Sequence, residues 1–154
     1  STLTTLDGLS EEEWVLHGSS YSCDCLWPSN PEQGHLIPEY NQKAVYGTCL
    51  VELAILYATI RTPKIDWGWQ LVDDPRHPHI LVVGPEHLHL SKGYVHLIGR
   101  EAFTDFILEG LTCLSYTEVK PKKEVTVYPS MLQLLIKQRR IVVMSYEEHE
   151  RQNR

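Results

Sequence analysis

Ala44-Val45-Tyr46-Gly47-Thr48 is followed without a break by apolar residues at positions 50, 53, 54, 57 and 58, and here the pattern changes from strand to helix. The first five residues suit a short extended segment. The spacing that follows is that of an amphipathic helix over residues 50–61, with Tyr57 on its apolar face. Thr62-Pro63 ends it, because proline cannot continue the hydrogen-bond ladder.

Working outward, residues 14–17 read as a strand, and residues 65–72, 79–83, 93–98, 111–119, 124–128 and 140–145 read as further strands. Residues 100–109 read as a helix packed through Phe103, Phe106 and Ile107 and closed by Gly110. Ser130-Met131-Leu132-Gln133 matches a capping box that opens a short helix to about Gln138. Residues 1–13 read as a polar lead-in, 20–43 as a long loop containing three prolines, and 147–154 as a charged, frayed tail. Strands that do not alternate strictly with about three helices predict an α+β fold. The expectation is one compact domain over residues 1–154, with a mixed, mostly antiparallel, split sheet.

The formal charge of -6 provides no global attraction for nucleic acid or an anionic membrane. The basic clusters Lys120, Lys122, Lys123 and Lys137, Arg139, Arg140 abut strand-like runs and read as solvated strand ends. No apolar stretch reaches the length of a membrane span, and the first 20 residues do not follow a secretory pattern. Four cysteines make no disulfide scaffold. Cys23-Asp24-Cys25 lacks the second ligand pair of a zinc site, and Cys49 and Cys113 read as buried thiols. These features predict a soluble cytoplasmic protein with no membrane partner.

Three short motifs carry the functional reading: Leu16-His17-Gly18-Ser19, Val45-Tyr46-Gly47-Thr48 with Tyr57 eleven residues after Tyr46, and Tyr116-Thr117-Glu118-Val119. Period-two alternation in the last strand places Leu114, Tyr116 and Glu118 on one face, and a carboxylate sharing an apolar face is usually neutralised, paired or functional. The alternative is a Glu118 at the sheet edge that reaches water. His17 before Gly18 can equally be a satisfied structural residue, and Tyr57 can be core.

In that order and spacing the motifs resemble the NAD-dependent ADP-ribosyltransferases of the diphtheria-toxin and poly(ADP-ribose) polymerase branch. The resemblance extends over residues 14–145 and rests on about a dozen positions. It implies an ADP-ribosyltransferase-like fold in which His17, Gly18 and Ser19 hold NAD, Tyr46 and Tyr57 sandwich nicotinamide, and Glu118 is the catalytic carboxylate. It also implies transfer of ADP-ribose to a macromolecular acceptor, protein or nucleic acid, by a toxin or effector that a neutralising partner would hold in check. Tyr116 stands where arginine-modifying members carry Glu or Gln, and Gly47 replaces the usual serine. The alternatives are an inactive module of the same fold that binds NAD, ADP-ribose or a protein, and a metal-binding domain built on His77, His79, His87, His89 and His96. The histidine cluster lacks matching carboxylates and an HExxH element, so no metal site is expected.

Overall fold

The computed structural model describes residues 1–30 and 42–154. Four α-helices and nine strands form an α+β fold: α1 (Thr2–Asp7), β1 (Trp14–Ser19), β2 (Val45–Gly47), α2 (Val51–Thr59), β3 (Gly68–Val72), β4 (His79–Gly84), β5 (Gly93–Gly99), β6 (Asp105–Ile107), β7 (Thr112–Ser115), β8 (Lys123–Val127), α3 (Pro129–Lys137), β9 (Ile141–Ser145) and α4 (Tyr146–Gln152). The strands make three small sheets, ordered β1-β5-β8, β2-β7-β6 and β3-β4-β9. All pairings are antiparallel except β4 with β9. Leu16 and Thr48 exchange two backbone hydrogen bonds of 2.8 Å, which link the first sheet to the second.

The sheet β1-β5-β8 separates two cores, because alternate residues of a strand face opposite ways. Leu16, Val95 and Leu97 face α2 and α3, whereas Val15 and Ile98 face a smaller cluster with Val45, Phe103, Cys113 and Val119. The helix α2 carries apolar residues nearly all round and is correspondingly buried from Leu53 to Leu56. It lies on bare backbone. A Cβ added to Gly18 would stand 2.0 Å from the Ala54 carbonyl oxygen, and one added to Gly93 would stand 1.7 Å from that of Ala58. Ala54 and Ala58 are one helical turn apart, so small residues on helix and sheet meet along one line.

Several elements differ from the sequence expectations. Within the lead-in, Thr2–Asp7 form α1, capped by the Ser1 hydroxyl and held by buried Leu3 and Leu6. Arg140 also binds both carboxylate oxygens of Asp7 at 2.8 and 2.9 Å and Glu52 at 3.2 Å, tying α1 to α2. Residues 100–109 are not a helix: two 3-10 turns flank β6, and Leu108, Glu109 and Gly110 take positive φ. Pairing of Phe106 with Cys113 across β6 and β7 outweighs the helical spacing. The helix α3 starts at Pro129 with Tyr128 as its cap residue, and no Ser130 capping box forms. The tail folds into α4, whose first turn the Ser145 hydroxyl caps by accepting from the Glu148 N–H. Of the long loop, residues 31–41 lie outside the described residues. Its described ends are pinned by bridges Leu26 to Val119 and Ser29 to Ala44. Among the described residues no helix is long and apolar enough to cross a membrane.

The bare-backbone contact predicts the response to a methyl group. Gly18→Ala and Gly93→Ala should each lose about 1–3 kcal/mol of stability, the usual cost of overpacking, or more. Gly68→Ala, where an added Cβ meets nothing within 4 Å, should stay within about 0.5 kcal/mol of the parent. Urea unfolding of the three variants makes the comparison.

Candidate functional site

A cavity of about 420 Å³ opens between β1, β2 and α2, a volume suited to a small organic ligand. His17, Gly18, Ser19, Tyr46 and Tyr57, expected from separate parts of the sequence to meet, all line it. The Leu16–Thr48 bridge sets β2 beside β1, and the glycine contact sets α2 against β1.

Each side chain is oriented by a partner. The His17 Nδ1–H donates to the Tyr46 carbonyl at 2.5 Å, which leaves Nε2 as the acceptor of a neutral imidazole. Burial pushes the His17 pKa down to about 4, against the opposing pull of that carbonyl and with smaller contributions from His96 and Lys64. The Ser19 hydroxyl donates to the Tyr21 carbonyl at 2.7 Å and accepts from His96 Nε2–H at 2.9 Å. The Tyr57 hydroxyl accepts from Trp69 Nε1–H at 2.8 Å, and the Lys64 ammonium stands 5.0 Å from the centre of the Tyr57 ring. The Tyr46 hydroxyl donates to the Gln42 carbonyl. Gly47 is required by packing, since a Cβ there would come within 2.5 Å of Val15 Cγ1.

Glu118 lies elsewhere. The strand β7 ends at Ser115 and the chain bends at Tyr116 and Thr117, so Glu118 does not share a strand face with Leu114 and Tyr116. Leu114 is fully buried and Tyr116 is exposed, with its hydroxyl on Asp105. Glu118 is exposed and accepts a hydrogen bond from the Cys25 thiol, whose pKa it pushes up. It is not part of the cavity wall, although the next residue, Val119, bridges Leu26, which is.

Two features of the site were not anticipated. His17, His96 and Glu124 stand directly opposite one another across β1, β5 and β8. His96 is fully buried, its Nδ1 lies 3.4 Å from a Glu124 carboxylate oxygen, and Glu124 also accepts from the Ser22 hydroxyl and the Cys23 N–H. Burial lowers the His96 pKa while Glu124 works against it. The second feature is charge: Arg61 and Lys64 line the cavity, and among its described lining residues there is no carboxylate. No local sequence pattern announces either, since the first needs strand register and the second depends on how the chain leaves α2.

The other histidines of the sequence cluster are dispersed. His87 and His89 fall between β4 and β5, outside any strand, and the His77 and His79 rings stack at 5.1 Å. No group of three His, Cys, Asp or Glu among the described residues is placed to hold a metal ion. Cys113 is buried and Cys49 half-buried, their sulfurs 3.9 Å apart.

No family model, curated protein or solved structure matches the chain. The functional reading therefore stands on the geometry of the site.

A histidine held neutral in the folded state but free to take a proton below about pH 6.5 in the unfolded chain makes stability fall with acid. The unfolded state binds the extra proton between about pH 6.5 and 4, so stability is full above that window and is lost as pH falls through it. His17→Gln should flatten this part of the profile relative to the parent, as read from denaturation midpoints at pH 7, 5.5 and 4.5. Parallel profiles would show that the imidazole carries no such penalty.

Proposed function

We propose that the cavity binds NAD and that the chain is an NAD-dependent ADP-ribosyltransferase acting on a macromolecular acceptor. One observation carries the reading: His17, Gly18, Ser19, Tyr46 and Tyr57, supplied by β1, β2 and α2, line one cavity. In this reading the neutral His17 uses its Nε2 lone pair to accept from a ribose hydroxyl. The Tyr46 and Tyr57 rings supply flat contacts for nicotinamide. Glu118 turns from Cys25 toward the ribose, where a carboxylate stabilises the positive charge that develops at the anomeric carbon. The bond from that carbon to the pyridinium nitrogen breaks, and nicotinamide leaves with the electron pair. The acceptor nucleophile donates a pair to the carbon and releases its proton to solvent.

A second reading is favoured by the position of Glu118. With that carboxylate on Cys25 and none among the described wall residues, a module of the same kind that binds the dinucleotide or ADP-ribose without turnover is also consistent. Free nicotinamide and NAD affinity, measured on the parent chain and on Glu118→Gln, separate the two. The transferase reading expects nicotinamide from the parent and a loss of at least about 100-fold in the variant, with affinity nearly unchanged. Binding by both proteins without release assigns the silent module. Absence of binding removes NAD from both readings.

A further inference from the structure

We infer that Cys49 and Cys113 form a modification site, a thiol pair placed to close into an intramolecular disulfide when a low-molecular-weight disulfide reaches Cys49. The pair stands apart from the NAD reading, since a bridge can form whatever the cavity holds.

The two cysteines are 64 positions apart in the chain, yet their sulfurs lie 3.9 Å from each other. Strand register brings them together. Gly47 on β2 stands opposite Cys113 on β7, and Cys49 follows two residues after Gly47, where the chain turns toward α2. One backbone group then holds both: the Gly110 carbonyl accepts from the Cys49 N–H at 2.8 Å and from the Cys113 thiol at 3.5 Å. Gly110 has a φ of 98°, which favours glycine, and a Cβ there would come within 2.8 Å of the Cys49 sulfur. The turn is thus shaped to leave room for that sulfur beside its partner. A disulfide bond is roughly 2 Å long, so a small side-chain movement completes the approach.

Access differs between the two. Cys113 is fully buried, whereas Cys49 is half-buried and lines a second cavity, of about 290 Å³, together with Trp14, Leu50 and Arg140. Cys49 is therefore the thiol that a small reagent meets first. As thiolate it attacks one sulfur of the external disulfide, whose S–S bond breaks, and the other half leaves with the electron pair and takes up a proton. Cys113 then gives its proton to solvent and attacks the Cys49 sulfur of the mixed disulfide. The Cys49–Cys113 bond forms and the second half leaves as a thiol, so two protein thiols are oxidised and one external disulfide is reduced to two thiols. Burial, and next the adjacent Cys49, push the Cys113 pKa up, and the high effective concentration of touching sulfurs offsets that weak ionisation.

The bridge would tie β7 to the junction of β2 with α2. Tyr46, Gly47 and Thr48 on one arm and Leu111 and Thr112 on the other line the principal cavity, so the bond would fix that wall from behind.

The test incubates the reduced parent chain with oxidised glutathione and follows intact mass, peptide map and thermal unfolding. The expected product has lost two hydrogen atoms, yields a Cys49–Cys113 cross-linked peptide, and unfolds at least about 5 °C above the reduced protein, with all three changes reversed by dithiothreitol. Cys49→Ser should not form the bridge, and Cys113→Ala should stop at a glutathione adduct on Cys49. The double variant Cys23→Ser with Cys25→Ser, which removes the other two cysteines of the chain, should close as the parent does. A lasting glutathione adduct on the parent, a bridge through Cys23 or Cys25 instead, or an unchanged mass overturns the inference. If Cys113→Ala does not fold, the peptide map of the parent decides by itself.

Discussion

The close approach of α2 to the strands β1 and β5 is the constraint on which the other features of the site depend. Two missing side chains, at Gly18 and Gly93, allow the helix backbone at Ala54 and Ala58 to rest on the sheet backbone. That contact fixes the height of α2, and with it the reach of Tyr57 toward the wall that His17 shares. It also explains Gly18 without reference to a ligand. Packing alone forbids a side chain there, so the glycine of the His-Gly pair is a structural necessity whatever the cavity holds.

Beyond Val15 the opposite face of β1 turns polar for a related reason. With Gly18 turned to the helix, His17 and Ser19 turn the other way, toward His96 across the strand pair. The buried imidazole of His96 then needs partners, and Ser19 and Glu124 stand beside it. Glu124 in turn holds Ser22 and Cys23, the start of the segment that becomes the cavity wall at Leu26 and Trp27. The buried polar row and the wall segment thus meet at Glu124, whose carboxylate lies 3.4 Å from His96 Nδ1 without a hydrogen bond between them and accepts from Ser22 and Cys23. Among the described residues Arg61 and Lys64 line the cavity, whereas Glu118 and Glu124 do not.

Much of the fold was legible where local periodicity was strong. The switch of period after Thr48 and the apolar strands 79–83 and 93–98 were readable because each depends on neighbours within one or two turns, whereas α2 ends at Thr59, short of the stop expected at Thr62-Pro63. Residues 100–109 misled because two phenylalanines three apart suit either a helix or a short strand beside turns, and the pairing of Phe106 with Cys113 decided it. Residues 1–7 looked polar because only Leu3 and Leu6 reach the core. The residues that line the cavity were legible as separate motifs, whereas the place of Glu118 was not, since a bend after Ser115 cancels the alternation on which its face was argued.

The sequence by itself determined the kinds of element and the identities of the polar side chains that could meet at a site, because these follow from steric and hydrogen-bonding preferences within a few residues. Tertiary structure alone decided which of them met. His96 and Ser19, 77 positions apart, touch only because β1 and β5 pair in one register, and Arg61 enters the wall only because the chain beyond α2 is stapled to residues 89–92. Register and stapling are set by the burial of whole faces and the satisfaction of distant backbone groups, quantities that no short window of sequence contains.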